Sequence, residues 1–400
     1  MPRMRFPKFR TAWGTKRLDA IAESTTERAE NRPIVPYTVT TGVGLVSQQE
    51  KYGRTIAGSA FKNYFVLQKN DFAYNKSATK AYPQGYIARF LGELGAVPNS
   101  IFTCFRVNPE LINPAYLHYL FAGNLHGKWL KRFIEVSARA HGSLSVNDAD
   151  LLSLPVPVPN GTSSLTEQQK IADCLSSLDE LIAAQGRKVD VLKKQKRGLM
   201  QQLFPGEDES VPRLRFPEFR DNERFDFKPI AEIAKVTTGG KDTQNKVDDG
   251  KYPFFVRSQN VERIDTFSYE GEAVLTSGDG VGVGENYHYI SGRFDFHQRV
   301  YLIYDFDDTL NGLFFFYYFS MHFKKRVKRM SAKNSVDSVR MAMITEMAIW
   351  VPEIKEQQRI ANCLSSLDTD LTAEVEKLDI LKIHKQGLMQ QLIPAPEEAR

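Results

Sequence analysis

The chain has 400 residues, a length that exceeds one ordinary core and predicts two or more domains. With 42% hydrophobic and 25% charged residues it has a globular composition, which excludes a disordered or fibrous chain. The formal net charge of +5 permits nucleic-acid binding through local basic patches without requiring it, and the three cysteines lack the spacing of a disulfide framework or a zinc site.

The first segment, RMRFPKFR at residues 3–10, is basic and lacks the apolar run of a signal peptide. Residues 11–160 are rich in aromatics and glycine, with β-like runs at 63–75 and 101–107. A helix is predicted over 114–133, PAYLHYLFAGNLHGKWLKRF, followed by a polar loop at 138–146 and a proline-containing strand. Next comes EQQKIADCLSSLDELIAAQGRKVDVLKKQKRGLMQQLFP at 167–205. Its apolar residues Ile171, Leu175, Leu178, Ile182, Val189, Leu192, Leu199 and Leu203 follow steps of three and four, the seam of a long helix. Thr166 is the expected cap and Pro205 the stop. At 1.5 Å per residue such a helix is a rod of roughly 57 Å. Gln185 and Lys196 interrupt the seam, and Gly186 and Gly198 weaken the helix by about 1 kcal/mol each and permit kinks.

The second half repeats this order. RLRFPEFR stands at 213–220, and residues 221–353 carry β-like runs at 252–260, 272–277 and 298–304. A helix is predicted over 313–330, then a polar loop at 331–339 and another proline-containing strand. Gly312 to Met321 is the longest apolar stretch, too short to span a bilayer, so a cytoplasmic location is expected. The long helix returns at 356–394 as EQQRIANCLSSLDTDLTAEVEKLDILKIHKQGLMQQLIP, with a seam from Ile360 to Leu392. Glu374 and Lys385 interrupt it at the same places, and Gly387 and Pro394 match Gly198 and Pro205.

The two long helices are identical at 24 of 39 positions with a shift of 189 and no gap. The RFPKFR and RFPEFR segments are shifted by 210, and KRLDAIAE from Lys16 and KPIAEIAK from Lys228 by 212. The chain is a duplication. Its order is circular: the first long helix ends just before RFPEFR, and the second ends near the C-terminus while its partner RFPKFR opens the chain. Pseudo-twofold symmetry with adjacent termini is the expectation. Two readings of the helices stay open, packing into a globular core or pairing antiparallel as a spacer between two variable domains. Repetition of the polar EQQ, SSLD and GLMQQL suggests two equivalent docking surfaces for two copies of one partner. Cys174 and Cys363 fall beside the seam and read as packing residues.

The variable segments differ from each other, and their basic and amide side chains have the chemistry to read base edges. Candidates are Lys76, Lys80, Arg89, Arg139 and His141 in the first segment, and Arg257, Gln259, Asn260, Arg293, Lys333 and Asn334 in the second. Lys131, Arg132, Lys324, Lys325, Arg326, Lys328 and Arg329 suit phosphate contacts.

Catalytic lookalikes fail on their surroundings. Asn113-Pro114-Ala115-Tyr116 lacks the second proline of an adenine-holding Asn-Pro-Pro-Tyr loop and reads as a helix start. The glycine-rich 277–287 lacks the Lys-Ser/Thr ending of a P-loop and reads as a turn between strands. Asp295 and His297 fall on one strand face and fit a core edge as well as an acid–base pair. No catalytic residue and no metal site is assigned.

LRFPEFR, the twice-occurring EQQKIADCLSSLDELI…GLMQQLFP helix, and segments such as GRTIAG, NYFVLQKNDFAYN, YPFFVRSQN, LTSGDGVGVGENY and FDFHQRVYLI together resemble the specificity subunit of type I restriction–modification systems. The resemblance implies an α/β (α+β) fold. Two target-recognition domains with mixed strands and helices, at 1–160 and 207–353, are separated by two long helices, at 161–206 and within 354–400. The helices pair as a pseudo-twofold antiparallel coiled coil. It implies that each domain binds one half of a bipartite site on double-stranded DNA, and that the helices set the spacer. Two methylation (modification) subunits would dock on the helices, with restriction (motor–nuclease) subunits beyond them. The chain itself would then be non-catalytic and hold no cofactor, with S-adenosylmethionine, ATP and Mg2+ bound by those partners. Two other functions stay open: a coiled-coil scaffold with protein-binding domains, and a stand-alone DNA methyltransferase or nuclease.

Overall fold

The computed structural model describes residues 2–40, 42–134, 144–206, 209–222, 224–280, 282–331 and 338–394. The candidates Arg139, His141, Lys333 and Asn334 lie outside the described residues, as does most of each polar loop. The chain divides into two compact units, Met1–Gln185 with Lys377–Arg400, and Gly186–Glu376.

In the first unit, Trp13–Arg17 pairs antiparallel with Pro155–Pro159 in a two-stranded ribbon. Proline cannot donate to a ladder, and a ribbon with no third strand tolerates three of them while Val156 and Val158 stay buried. A four-stranded antiparallel sheet runs in the order Ala22–Thr25, Phe102–Val107, Phe72–Asn75, Tyr86–Arg89. The β-like run at 63–75 is two strands, Phe65–Gln68 and Phe72–Asn75, because Asn70 takes a left-handed φ of 74° and turns the chain between them.

The single helix expected over 114–133 is corrected to two, Pro114–Ala122 and Leu125–Leu130. Asn124, at φ 62°, breaks it after Gly123. The aromatic face of these helices packs on the sheet, with Phe72, Phe105 and Phe121 ring to ring. Ile171, Ala172 and Leu175 of the first long helix and Leu392 of the second belong to the same core.

The second unit repeats the plan with a larger sheet. Asp226–Pro229 pairs antiparallel with Ala348–Val351, the counterpart of the first unit's ribbon. The six-stranded sheet runs Lys235–Thr238, Val300–Tyr304, Tyr269–Ser277, Tyr287–Phe296, Tyr252–Phe255, Glu262–Ile264. Its one parallel pair joins Tyr252–Phe255 to Tyr287–Phe296. The glycine-rich 277–287 connects two antiparallel strands, as a turn should. Here the aromatic helix is continuous, Gly312–Ser331, and shares a core with Leu203 and Phe204 of the first long helix and Ile360, Ala361 and Leu364 of the second.

The long helices run Ser164–Leu203 and Ile354–Leu392. The first starts two residues before Thr166, so Thr166 is an interior residue and not the cap. Ser163 occupies the boundary instead, its carbonyl accepting from the Glu167 N–H at 2.9 Å. Both helices pass unbroken through Gly186, Gly198 and Gly387. Within each unit the two helical segments lie antiparallel. In the first, Leu392 shares the core of Ile171 and Leu175, and Lys385 meets Asp179. In the second, Leu203 shares the core of Ile360 and Leu364, while Lys196 meets Asp368 and Lys188 meets Glu374. Met4 N–H also donates to Gln391 O, and its counterpart Leu214 N–H to Gln202 O, so the N-terminal segment completes the first unit as the middle segment completes the second.

Candidate nucleic-acid interface

Each unit is held to the long helices by the same junction. Asn113 caps the helix that begins at Pro114, its Oδ1 accepting from the N–H groups of Ala115 and Tyr116 at 2.8 and 3.0 Å. The Asn113 N–H donates to Gln168 Oε1 on the first long helix at 2.8 Å, and the Asn311 N–H donates to Gln357 Oε1 at 2.8 Å in the other unit. Arg5 grips Glu167 with two bonds of 2.7 Å, as Arg215 grips Glu356 with bonds of 2.8 and 2.7 Å. Tyr119 OH donates to Asp179 at 2.8 Å and Tyr317 OH to Asp368 at 2.7 Å. Lys385 lies over the Tyr119 ring and Lys196 over that of Tyr317, each bonded to the same aspartate as the tyrosine. Burial, together with the hydrogen bond to a carboxylate, pushes both phenols far above their ordinary titration range.

This junction corrects one expectation. Glu167, Gln168, Glu356 and Gln357 are fully buried, and Asp179 and Asp368 are half-buried in the junctions. Half of the polar positions in EQQ and SSLD are therefore explained by contacts inside each unit. Gln169 and Gln358, Ser177 and Ser366, Gln201 and Gln390, and Gln202 and Gln391 are the members that remain exposed in both copies.

The candidate readers of the first unit fall in different settings. Lys80 is exposed on the loop between two strands, whereas Lys76, at its start, lies 3.5 Å from Asp148. Arg89 is half-buried and donates through Nε and Nη2 to Asn70 Oδ1 at 3.0 and 2.6 Å, and burial lowers its pKa. It lines a cavity of about 750 Å³ with His118, Tyr119 and Asp179, at the end of its strand opposite the loop that carries Lys80. Lys131 and Arg132 are exposed just past the helix Leu125–Leu130, and Arg132 stacks over Trp129 at 4.2 Å.

In the second unit Arg257 is bonded to Asp279 at 2.9 Å, and Gln259 and Asn260 are exposed beside it in the same turn. Arg293 pairs with Glu270 at 2.8 Å on a strand face and lies over Phe267 at 5.0 Å. Lys324 is bonded to Glu285. Arg326 donates to Met343 O at 2.7 Å, and burial lowers its pKa, so it ties the helix to the following segment. Lys325 and Lys328 are exposed, with no bonded partner among the described residues, and Arg329 is exposed as well. Lys325 shares a cavity with Lys193 and Arg197, two cations of the first long helix that sequence reasoning left aside. The signal was the KKQKR run, which the second copy replaces with KIHKQ.

Asp295 and His297 do not form an acid–base pair. Asp295 accepts from Thr266 and Ser268 hydroxyls at 2.7 and 2.8 Å, and His297 Nδ1 accepts from Arg299 N–H at 2.9 Å. Burial, with Arg257 nearby, lowers the pKa of His297. Among the described residues no group of three or more His, Cys, Asp or Glu is placed to hold a metal ion, and no helix is long and apolar enough to cross a membrane.

The family model for the type I restriction modification DNA specificity domain matches residues 12–194 and again 222–382. The specificity subunit of type I restriction enzyme EcoDI from Escherichia coli is 27% identical over 164 residues, 40% of this chain and 36% of the relative. That of MjaVIII from Methanocaldococcus jannaschii is 22% identical over 331 residues, 76% of this chain and 75% of the relative. The alignment thus spans about a third of the first relative's length and three quarters of the second's. The crystal structure of the S subunit of a type I restriction–modification system from M. genitalium superimposes with a TM-score of 0.62 at 14% identity, covering 98% of this chain and 99% of that one. A chain from a structural study of complex assembly and conformational transition of the type I R-M system gives 0.55 at 15% identity, covering 96% and 98%. At such identities the likeness is one of fold.

Proposed function

Because the chain belongs to the family of type I restriction–modification specificity subunits, we propose that it reads a bipartite site on double-stranded DNA, one half with each unit, and supplies no catalytic group itself. The observation that carries this reading is the duplicated junction. Glu167, Gln168 and Asp179 in one unit and Glu356, Gln357 and Asp368 in the other hold two dissimilar domains by the same bonds. A frame repeated this closely, carrying unlike sheets and loops, suits two readers of two different short sequences.

In this reading Lys80, Gln259 and Asn260 are the most accessible base readers, and Lys131, Arg132 and Lys325 serve the phosphates. The long helices set the spacer between half-sites and dock two modification subunits through Gln169, Ser177, Gln358 and Ser366, exposed in both copies. Those subunits carry S-adenosylmethionine, and restriction subunits carry ATP and Mg2+, so the complex works on DNA in the cytoplasm. The test is binding of the full chain, with its modification subunits, to random duplex at low and moderate salt. Affinity falling steeply with salt is the expected result. Absence of binding would favour a protein scaffold, and methylation or cleavage by the chain alone would point to a self-contained enzyme.

A further inference from the structure

The cavity shared by Lys193, Lys196, Arg197 and Lys325 has a volume of about 450 Å³, and Met200, Gln201, Met321 and Leu371 complete its lining. Among the described residues no carboxylate lines it. Lys196 is committed to Asp368, but Lys193, Arg197 and Lys325 are exposed and have no bonded partner among the described residues. Apolar side chains at the base of such a groove carry the aliphatic stems of lysine and arginine and leave the charged heads at the rim. The next turn of the helix Gly312–Ser331 adds Lys328, also exposed.

The duplication shows that this charge is not part of the common frame. The counterparts of Lys193, Lys196, Arg197 and Met200 are Lys382, Lys385, Gln386 and Met389. Lys382 is bonded to Asp379, whereas Lys193 has no such bond although Asp190 stands at the matching place. Arg197 has become Gln386, and Lys194 has become Ile383. On the domain side, the Asn113-to-Asn311 offset of 198 sets Gly127 against Lys325 and Gly123 against Met321. The matching groove of the first unit, lined by Gly123, Met389 and Gln390, carries two cations, Arg3 and Lys128, against the four of the second unit.

We propose that this groove binds the phosphodiester backbone of duplex DNA, so that the first long helix adds a sequence-independent contact that is stronger in the second unit than at the matching groove of the first. The inference rests on the DNA-recognition reading above and extends it to a helix that reading treats only as spacer and docking surface. Phosphates match the rim by charge, and a contact through phosphates fixes position without reading bases. The consequence is functional asymmetry: the two halves of the site are held with different salt dependence although their frames match.

The test compares the full chain in complex with its modification subunits against the triple variant K193E/R197E/K325E and the first-unit control K382E/Q386E. Each binds a fluorescent 40-bp random-sequence duplex across a salt series, with circular dichroism and subunit stoichiometry recorded for all three. Loss of three phosphate contacts lowers the slope of log affinity against log salt by about 2.7, and weakens binding by about tenfold or more at low salt, while the control keeps the parent slope. A triple variant that assembles normally and binds with the parent slope overturns the groove and leaves DNA recognition standing. Equal slope losses in variant and control overturn the asymmetry. Loss of assembly with an unchanged slope in the surviving complex assigns the groove to an acidic protein partner and overturns the proposal. A parent complex that does not bind the duplex defeats both readings together.

Discussion

The ammonium group of Lys385 is bonded to the carboxylate of Asp179, and Tyr119 donates its hydroxyl to the other oxygen of the same carboxylate. The same three residue types, Lys196, Asp368 and Tyr317, form the same triad in the other unit. Each triad ties three elements together, one segment from each long helix and the aromatic helix of the recognition domain. A shift of register by one residue would separate lysine from aspartate, so the triad fixes the antiparallel alignment within its unit. Asp179→Ala removes the acceptor for both partners and is expected to cost about 2 kcal/mol, chiefly through the tyrosine bond because the partly solvated ion pair contributes less. Urea unfolding followed at Trp13 and Trp129, both in the first unit, measures it. Asp368→Ala should show the same loss at Trp350.

Arg215 and Arg5 hold equivalent buried carboxylates in unequal surroundings. The side chain of Arg215 is 8% exposed and that of Arg5 is 17%, while Glu356 and Glu167 are both at 1%. Removing either arginine strands a buried charge, at about 3–5 kcal/mol for a fully buried pair. Arg215→Ala is expected at the upper end of that range and Arg5→Ala below it. Denaturation midpoints of the two variants give the order directly.

The glycines of the long helices offer stabilising substitutions. A Cβ at Gly186, Gly198 or Gly387 meets nothing within 4 Å. Alanine at each position is expected to add about 1 kcal/mol, the difference in helix propensity. Thermal melting of the isolated chain checks this. Because Gly198 and Gly387 recur at the same place, the same variants also report on docking: weaker assembly with modification subunits alongside a higher melting temperature would put a partner against those faces.

Two histidines of the first unit make stability depend on pH. Burial lowers His118 to about 4, helped by Arg89 and Lys385, and lowers His126 to about 4 against a small opposing hydrogen bond to Gly85 O. Their unfolded value is about 6.5. Between those values the unfolded chain binds protons that the folded chain refuses, so stability is complete above about pH 6.5 and falls as pH drops towards 4. His126→Gln keeps a donor for Gly85 and removes the titration. Its unfolding free energy should decline less over that interval than the parent's, and an identical decline would contradict the assignment.

The frame was largely legible in the sequence because it was written twice. Two long helices, their heptad seams, the junction segments and the aromatic helix at 313–330 follow from repetition and periodicity. Lys196 and Lys385 stood out as seam interruptions, and the triads explain them, but nothing in a one-dimensional pattern names Asp179 or Asp368 as their partners. The break at Asn124 was hidden because the flanking residues keep helical spacing. EQQ looked like surface because glutamate and glutamine usually are; here a buried arginine and a helix-start N–H satisfy them. Which basic side chains are spent inside the fold, such as Arg326 on Met343 O, depends on tertiary neighbours and was out of reach.

The central claim, that each unit reads one half of a split DNA site, is tested most directly by exchanging residues 221–353 for the corresponding segment of another family member. Methylated adenines are then mapped across the genome of cells carrying the parent or the exchanged chain. The account predicts a two-part methylated motif in which one half changes while the other half and the spacer stay as they were. A motif that changes in both halves, or one unaltered by the exchange, would contradict it.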